Sequence, residues 1–518
     1  MKTLQQLIQA IPNVQVIGNT GVIIQHLTYD SRQVGEGSVF FAIAGTQVDG
    51  HKYINDVIEK GAVAIVCENL PAIINDAVTY IKVNNTSEVM GLMACAFYNH
   101  PSEKIKLTAI TGTNGKTTVA TLLYKLFRGL GYSAGLLSTV QNQINDKVIP
   151  ATHTTPEAVS LNKLLAEMVE TGCTHCFMEC SSHSIVQRRI AGLDFNGALF
   201  TNITHEHLDY HGTFDNYIKA KKMFFDYLPS SAFAITNSDD KRGMIMVQNT
   251  KATVKTYSVQ KVADFKARVL SNSLNGLQLD VDGSEVWFKL VGSFNASNLM
   301  AVYGAAIMLG EDREQVLTVL SGLNSVNGRF DRYVSPNGIT VIVDYAHTPD
   351  ALENVLGTIK DLRTMNEQLI TLFGCGGERD RAKRPVMVEI ALKFSNKLIM
   401  TLDNPRHEDP EQIFAEMQKG VSPSNFKKAL RIDDRREAIL QAISISNPGD
   451  IILIAGKGHE DYQDIQGKKH PFDDRKVARQ LLQHTKTARA LEREEKQAER
   501  EAMQQQRGGF DRPPDRRV

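Results

Sequence analysis

Residues 111–118 have the composition of a phosphate-binding loop. They read Thr-Gly-Thr-Asn-Gly-Lys-Thr-Thr, and the two glycines would let backbone N–H groups approach phosphate oxygens. Lys116 would reach the outer phosphates of a nucleotide, and the hydroxyl of Thr117 would bind Mg²⁺. The usual pattern has another glycine where this chain has Ile110, so the alternative is a glycine turn with an incidental lysine. The residues assigned to the nucleotide are Gly112, Thr113, Asn114, Gly115, Lys116, Thr117 and Thr118.

A second group of side chains suits a divalent cation. Glu179 ends one apolar run, and His207 and Asp209 follow another. Phosphoryl transfer between two anions needs cationic screening, usually by Mg²⁺ with oxygen ligands. The three histidines within residues 205–211 would also suit zinc, but no cysteine completes a compact ligand set. We therefore predict magnesium and keep zinc as the alternative.

Apolar runs rich in Val and Ile alternate with helical periodicities, which predicts an α/β fold with mainly parallel, doubly wound sheets. We divide the chain into a small α/β domain at 1–100, a P-loop-type domain at 101–328 and a Rossmann-like domain at 329–485. A charged, partly disordered tail at 486–518 follows. A hairpin is predicted within 277–290, and a helix carries the apolar stripe of 119–130. The predicted strands are 39–43, 63–67, 105–111, 177–179, 197–200, 233–237, 340–344, 369–374, 398–402 and 451–456.

The composition excludes several classes of protein. A length of 518 residues requires several hydrophobic cores, and equal counts of 58 basic and 58 acidic residues give no field that would attract nucleic acid. No apolar run approaches the length of a membrane span, and residues 1–14 lack the features of a signal peptide. Six scattered cysteines indicate a reducing compartment. The pair Cys173 and Cys176 is interpreted as part of a buried strand rather than a zinc knuckle.

Taken together, several segments resemble the Mur ligase family. They are residues 112–118, 179–183, 207–212 with Tyr217 and Lys221, and the pair Asn295 and Asn298. The resemblance covers nearly the whole chain up to about residue 484. It implies an ATP-dependent amide ligation, in which a substrate carboxylate takes the γ-phosphoryl group and an amine then attacks the acyl phosphate.

The resemblance also implies roles for individual residues. Glu179 and His207 would bind Mg²⁺, and Lys221 would be carbamylated by CO₂ and serve as a ligand of a second Mg²⁺. Asn295 and Asn298 would lie near the adenine and Asp344 near the ribose. The implied catalytic residues are Lys116, Glu179, His207, Lys221 and Arg329, of which Arg329 would lie near the transferring phosphate.

The resemblance further implies that the first domain holds the uridine of UDP-MurNAc-L-Ala-D-Glu and that the second domain holds its muramoyl dipeptide. Hydroxyl groups and a guanidinium suit such a carboxylated ligand. The implied residues are Tyr29, Ser31, Thr46, Gln47, Val48, His153, Thr154, Thr155, Ser181, Gln187 and Arg189.

Residues 403–406 read Asp-Asn-Pro-Arg and follow a predicted strand, where a doubly wound sheet binds ligands. They resemble the signature of the family members that add meso-diaminopimelate to the D-Glu carboxylate. An arginine can grip the distal carboxylate of diaminopimelate in a bidentate pair, whereas L-lysine has no such group. The implied pocket residues are Arg379, Asp403, Asn404, Pro405, Arg406, Gly456 and Glu460.

The expected protein is a cytoplasmic monomer of peptidoglycan precursor synthesis. ATP and two Mg²⁺ ions are its expected ligands beside the two substrates, and neither nucleic acid nor a membrane span is expected. The alternatives are a lysine-adding relative, a folylpolyglutamate-type ligase with the same ATP core, and a nucleotide-binding regulator without catalysis.

Overall fold

The computed structural model describes residues 2–9, 11–12, 14–45, 48–364 and 366–483. The chain divides into two compact units between Asn324 and Ser325. Both units consist of α/β sheets with mainly parallel strands, which confirms the predicted fold class. Over the described ranges, no helix combines the length and the hydropathy that a membrane span requires. The tail predicted at 486–518 lies outside the described residues.

The first region of the first unit contains a five-stranded sheet in the order β2-β7-β6-β5-β4. Apolar side chains cover both of its faces: Phe41 and Met93 belong to one core, and Phe40 and Ile54 belong to the other. The strands and helices are β1 (Lys2–Thr3), α1 (Leu4–Ile8), β2 (Gln15–Ile17), β3 (Ile23–Ile24), β4 (His26–Thr28), β5 (Ser38–Phe41), α2 (Ile54–Glu59), β6 (Ala62–Cys67), β7 (Thr79–Lys82) and α3 (Thr86–Phe97).

The second region contains an eleven-stranded sheet in the order β11-β10-β9-β12-β8-β13-β14-β15-β16-β17-β18. Its strands and helices are β8 (Lys106–Thr111), α4 (Lys116–Gly129), β9 (Ala134–Leu137), β10 (Gln141–Ile144), β11 (Lys147–Pro150), α5 (Ala158–Glu170), β12 (His175–Glu179), α6 (Ser182–Val186), β13 (Gly197–Phe200), α7 (Leu208–His211), α8 (Phe214–Asp226), β14 (Phe233–Asn237), α9 (Gly243–Met246), β15 (Thr253–Ser258), β16 (Phe265–Ser273), β17 (Gly276–Val281), β18 (Ser284–Phe288), α10 (Ser293–Met308) and α11 (Arg313–Gly322).

Strands β9, β12, β8, β13 and β14 run parallel, so the loops that follow β8, β12 and β13 lie side by side at one edge of the sheet. The predicted hairpin is confirmed, because β17 and β18 pair antiparallel. Asp282 and Gly283 form its turn with φ values of 48° and 89°, as a two-residue hairpin turn of the primed type requires.

The second unit contains a six-stranded sheet in the order β19-β20-β24-β21-β22-β23. All neighbours run parallel except β19, which pairs antiparallel with β20. The elements are β19 (Asp331–Val334), β20 (Thr340–Asp344), α12 (Pro349–Leu362), β21 (Leu369–Phe373), α13 (Lys383–Phe394), β22 (Lys397–Met400), α14 (Pro410–Gln418), β23 (Ala429–Arg431), α15 (Arg435–Ser444), β24 (Ile451–Ala455), β25 (Tyr462–Ile465) and β26 (Lys468–Pro471).

Each of the ten strands predicted from the sequence is present, with bounds that agree to within two residues. Apolar runs with β-branched residues indicated them correctly because both faces of these sheets are buried. Cys176 lies within β12 and is completely buried, which confirms its interpretation as a strand residue.

Candidate active site

The phosphate loop connects β8 to α4, as the sequence predicts. Ile110 is a buried residue inside β8, which explains why this position does not carry the usual glycine. Gly112 has a φ of 150°, and a side chain there would collide with the hydroxyl of Thr201. Gly115 has a φ of 90°, and a Cβ there would lie 2.6 Å from Oδ1 of Asn298. Both positions therefore require glycine.

The segment after β13 braces the phosphate loop. The carbonyl of Asn202 accepts a hydrogen bond from the backbone N–H of Thr113 at 2.8 Å. Its side-chain Oδ1 accepts another from the backbone N–H of Asn114 at 2.9 Å. The hydroxyl of Thr201 donates to the carbonyl of Asn114 at 2.6 Å. Two of the loop's N–H groups are thus bonded within the protein, and the loop is held rigidly at its centre.

Two lysine side chains converge on one carbonyl of this loop. Nζ of Lys116 donates to the carbonyl of Gly112 at 2.9 Å, and Nζ of Lys221 donates to the same oxygen at 2.8 Å. Lys221 is completely buried on α8, where its Nζ lies 4.7 Å from the centre of the Tyr217 ring. Burial and the charge of Lys116 hold the pKa of Lys221 well below its ordinary value. The lowered pKa favours the neutral form of the amine, which is the nucleophilic form.

Glu179 is the last residue of β12 and lies next to Ile110 of β8 in the parallel register. Its Oε1 accepts a hydrogen bond from the N–H of Thr139 at 2.7 Å, and its side chain is completely buried. Its Oε2 is also buried and has no hydrogen-bond partner among the described residues. Because a buried carboxylate oxygen without a partner is costly, this atom suits a cation.

Of the histidines after β13, His207 and His211 both lie near the ring of His183. The ring of His207 packs edge-on against His183 with 4.8 Å between ring centres. Nε2 of His211 lies 2.9 Å from the hydroxyl of Ser182, and the ring of His205 stacks on Phe214. Among the described residues, no three His, Cys, Asp or Glu side chains are grouped as metal ligands. Binding of Mg²⁺ by His207 stays a prediction.

Asn295 and Asn298 are buried on α10 and are joined by a hydrogen bond of 3.0 Å from Nδ2 of Asn298 to Oδ1 of Asn295. Nδ2 of Asn295 donates to the carbonyl of Val291 at 2.8 Å. Since Oδ1 of Asn298 lies beside Gly115, this pair borders the phosphate loop itself.

Arg189 is held between α6 and the segment that precedes α5. Its Nε and Nη2 donate to Oε1 of Gln187 at 2.9 and 2.6 Å, and its Nη1 donates to the carbonyl of Thr155 at 2.9 Å. Nη2 also lies 2.8 Å from Oε1 of Glu157. The hydroxyl of Thr155 binds the N–H of Ser181 at 3.1 Å. The structure thus brings together four of the residues predicted for the dipeptide.

Tyr29 of the first region lies near the same cluster. Burial and the nearby charge of Glu157 raise the pKa of Tyr29, and Arg189 acts in the opposite direction, so the phenol lies close to both. Thr154 accepts a hydrogen bond of 3.1 Å from the hydroxyl of Thr139. Ser31 is partly exposed, and Val48 and His153 are exposed, while the predicted Thr46 and Gln47 lie outside the described residues.

In the second unit, Asp344 ends β20 and supports the segment that carries Arg329. Its two carboxylate oxygens accept hydrogen bonds from the N–H groups of Phe330 at 2.6 Å and Ala346 at 2.8 Å. Burial raises the pKa of Asp344 despite the nearby charge of Arg329. The guanidinium of Arg329 stacks on the ring of Tyr345 at 4.4 Å. Asp344 therefore holds the backbone at Phe330 and Ala346 in place. Its contact with a ribose stays a prediction.

Residues 403–406 and the loop after β24 form one polar pocket. Nδ2 of Asn404 donates to Oε2 of Glu460 at 2.7 Å. Gly456 has a φ of 110°, and a Cβ there would lie 2.6 Å from Oδ2 of Asp403. Burial, and next the charge of Asp403, raise the pKa of Glu460. Two carboxylates thus lie close together, and the buried Nζ of Lys457, 3.6 Å from Oε2 of Glu460, offsets part of their repulsion.

Two arginines flank this pocket. Arg406 has a φ of 52° and donates from Nη1 to the carbonyl of Gly377 at 2.6 Å. A Cβ on Gly376 would lie 3.2 Å from Nη1 of Arg406 and 3.7 Å from Cγ of Arg379. Both side chains therefore pass close to Gly376. Pro405 connects Asn404 to Arg406, and its carbonyl accepts a hydrogen bond of 3.1 Å from the N–H of Glu408.

The chain matches three family models: Mur ligase family, catalytic domain, at residues 23–98; Mur ligase middle domain, at 110–306; and Mur ligase, glutamate ligase domain, at 328–458. A protein of Cytophaga hutchinsonii named UDP-N-acetylmuramoyl-L-alanyl-D-glutamate--2,6-diaminopimelate ligase is 58% identical, over 92% of this chain and 99% of its own length. The chain belongs to the Mur ligase family.

Other members of the Mur ligase family show the same likeness. A protein of Phocaeicola vulgatus with the same name is 52% identical, over 92% of this chain and 99% of its own length. A solved structure of a ligase of this name is 33% identical, covers 93% of this chain and 99% of its own, and superposes with a TM-score of 0.67. The three family models follow the order of the three predicted domains, whose boundaries stay a prediction.

The candidate site also contains residues that the sequence patterns did not indicate. Asn202 braces the phosphate loop, Glu157 binds Arg189, and Lys457 lies buried with its Nζ 3.6 Å from Oε2 of Glu460. Lys457 directly follows the predicted Gly456 in the sequence, so it could have been included in the predicted pocket. Asn202 and Glu157 are distant in sequence from the groups that they hold, and no local pattern marks them.

Proposed function

We propose that this chain catalyses the ATP-dependent addition of meso-diaminopimelate to the D-Glu carboxylate of UDP-MurNAc-L-Ala-D-Glu. A carboxylate oxygen attacks the γ-phosphorus, the bond to ADP breaks, and an acyl phosphate forms. The amine of diaminopimelate loses a proton and attacks the acyl carbon, and phosphate leaves with the former carboxylate oxygen. The products are the amide, ADP and phosphate.

The observation that carries this proposal is the charge pattern around residues 403–406. Asp403 and Glu460 are close together beside the buried Lys457, and Arg379 and Arg406 both lie next to Gly376. Diaminopimelate carries an ammonium and a carboxylate on its distal carbon, so the two carboxylates and the two arginines could each bind one of its groups. L-lysine lacks the distal carboxylate and could not make the charge-assisted bonds to these arginines.

The nucleotide would lie along the loop at 112–118, with Lys116 next to the outer phosphates. The side chains that would hold Mg²⁺ are Thr117, Glu179, His207 and Lys221, the last as a carbamate for a second ion. The unpartnered Oε2 of Glu179 and the lowered pKa of Lys221 support this assignment. When bound, Mg²⁺ supplies positive charge that neutralises the crowded phosphate oxygens.

The muramoyl dipeptide would bind where Arg189, Gln187, Thr155 and Ser181 come together, and the uridine would bind beside Tyr29. The guanidinium suits the carboxylate of the D-Glu residue. We also infer a cytoplasmic monomer with the three domains 1–100, 101–328 and 329–485. All six cysteines are buried free thiols, in keeping with a reducing compartment.

A panel of amino acids tests the proposal. The full chain is supplied with ATP, Mg²⁺ and UDP-MurNAc-L-Ala-D-Glu, and phosphate release and product mass are followed with meso-diaminopimelate, L-lysine or no amino acid. We expect kcat/KM for meso-diaminopimelate to exceed that for L-lysine by about 10³-fold or more, because the site would reject a substrate that leaves polar groups unpaired.

Three results would contradict it. Equal use of lysine would identify a lysine-adding relative. Turnover with folate and glutamate alone would identify a folylpolyglutamate-type ligase, and nucleotide binding without turnover would identify a regulator.

Replacing Arg406 by lysine should remove much of the selectivity. In Arg406→Lys we expect kcat/KM for meso-diaminopimelate to fall about 100-fold while KM for ATP changes less than about twofold, since a point charge cannot replace the planar fork. Arg431→Lys is a matched control, because Arg431 makes a similar fork-shaped pair with Glu411 and Asp433 at β23. Equal losses for ATP and diaminopimelate in Arg406→Lys would contradict the assignment.

A further inference from the structure

A completely buried arginine, Arg384, lies on α13 beside the amino-acid pocket. Its Nη1 and Nη2 donate to the two oxygens of Glu408, each at 2.8 Å, in a bidentate pair. Nη1 also donates to Glu416 at 2.9 Å, and Nη2 donates to the carbonyl of Gly376 at 3.1 Å. The charge is thus neutralised by two carboxylates, and one bond extends to the backbone of the loop that carries Arg379.

Glu408 makes the complementary bond to the same loop. Its Oε2 accepts a hydrogen bond from the N–H of Glu378 at 2.8 Å, and Arg384 holds the pKa of Glu408 down at about 2. The ion pair therefore binds the loop on both sides of Gly377, through the carbonyl of Gly376 and the N–H of Glu378. Glu408 itself follows Arg406 by two residues.

The loop and residues 403–406 also bond directly to each other. The N–H of Gly377 donates to the carbonyl of Asn404 at 2.9 Å, and Nη1 of Arg406 donates to the carbonyl of Gly377 at 2.6 Å. Atoms of both Arg406 and Arg379 lie close to Gly376. Any shift of residues 376–379 relative to residues 403–406 would therefore change the spacing of the two arginine side chains.

We propose that the Arg384–Glu408 ion pair is a positioning device that sets the spacing of Arg379 and Arg406 and thereby the preference for an amino acid with a distal carboxylate. This inference rests on the function proposed above and deepens it. Arg384 and Glu408 act on the substrate indirectly, through the backbone at Gly376 and Glu378.

A role in stability alone would not require this arrangement. A buried ion pair often contributes no more to stability than apolar residues of the same size, because desolvation offsets the attraction. Here the pair is directed at two backbone groups of a ligand-binding loop. Geometric errors of about 1 Å in such positioning can cost about 100-fold in rate.

The test compares Glu408→Gln with Glu416→Gln. Glutamine at 408 keeps the shape of the side chain but replaces one carboxylate oxygen by an NH₂ group, which cannot accept a hydrogen bond. Either the bidentate pair with Arg384 or the bond from the N–H of Glu378 is therefore weakened. Glu416 also binds Arg384, and its second ion pair is with Arg381 rather than with the backbone of the loop. It is therefore a matched control that weakens the same arginine without touching Gly376 or Glu378. Ile439→Ala, a buried position on α15 in the apolar core, is a second control for loss of stability.

For Glu408→Gln we expect KM for meso-diaminopimelate to rise about 10- to 100-fold and the preference over L-lysine to fall by a similar factor. KM for ATP and for the UDP-dipeptide should change less than about twofold. Glu416→Gln and Ile439→Ala should keep the KM for diaminopimelate and the preference for it over L-lysine that the original chain shows. This should hold even if their Tm is lowered as much as that of Glu408→Gln.

Two outcomes would overturn the inference while the proposed function stands, provided that the original chain is selective for diaminopimelate. In the first, Glu408→Gln keeps the same preference over L-lysine. In the second, Ile439→Ala loses as much of that preference as Glu408→Gln does. If the original chain does not use diaminopimelate at all, the proposed function fails instead. The two failures are therefore distinguished in a single set of measurements.

Discussion

The Lys116→Ala variant should bind its UDP-dipeptide but form ADP about 10³-fold more slowly than the original chain, a loss typical of removing one group that stabilises transition-state charge. Nζ of Lys116 is held over the phosphate loop by the carbonyls of Gly112 and Thr113, at 2.9 and 2.8 Å. A nucleotide on this loop would find the ammonium group already in place, so that little reorganisation precedes phosphoryl transfer.

The measurement is ADP formation in a single turnover with enzyme in excess, together with the dissociation constant of a fluorescent ATP analogue. Lys163→Ala, which removes an exposed lysine of α5, is the matched control and should behave like the original chain. If Lys116→Ala forms ADP within about tenfold of the original rate, the assignment of the phosphate loop is wrong. Circular dichroism establishes that the variant is folded.

The strands and the residues at their ends could be predicted from the sequence. Runs of Val and Ile identify strands that are buried on both faces, and parallel strands present their carboxyl ends at one edge. Glu179, Asp344 and Asp403 are therefore recognisable as polar residues that end or follow apolar runs. The same argument places the phosphate loop, because its flanking strand and helix are both strongly patterned.

The groups that hold these residues in place could not be predicted in the same way. Asn202 binds a loop almost 90 residues earlier in the chain, and a contact at this separation leaves no trace in local periodicity. Arg384 looks like one of several basic residues at the start of a helix, although it is completely buried. Its importance depends on Glu408 and Glu416, which become its neighbours only after β21 and β22 pair.

The burial of Lys221 could be predicted from the sequence only in part. Without the family resemblance it would be interpreted as an ordinary surface lysine, but the pattern of α8 contains a signal against this. Tyr217, Phe224 and Phe225 are buried on this helix, and Lys221 lies four residues after the first and three before the second. Helical periodicity therefore puts it on the buried face, where a lysine without a function would be costly.

The Lys221→Ala variant is consequently expected to lose activity by about 10³-fold, although it removes a lysine that is not assigned to the nucleotide. The neutral amine of Lys221 can attack CO₂ to form a carbamate with release of one proton, which converts a basic side chain into an anionic oxygen donor. Burial and the charge of Lys116 favour the neutral amine, and an anion beside Lys116 would also be stabilised by that charge.

The measurement is phosphate release by Lys221→Ala with and without a small carboxylate such as acetate in solution, which should restore activity about tenfold by entering the space that the side chain leaves. Lys219→Ala, an exposed position on the same helix, is the control and should be fully active without acetate. In parallel, ¹³C-labelled bicarbonate should give a carbamate resonance in the original chain and in Lys219→Ala.

The two readouts separate a carbamate from a simple cation at this position. If Lys221 acted as an ammonium, acetate would not restore activity, small amines would, and no labelled resonance would depend on residue 221. If it were only a packing residue, Lys221→Met would be nearly as active as the original chain, since methionine fills a similar apolar volume. Only the carbamate predicts rescue by an anion, because only then does the lost group carry a negative charge.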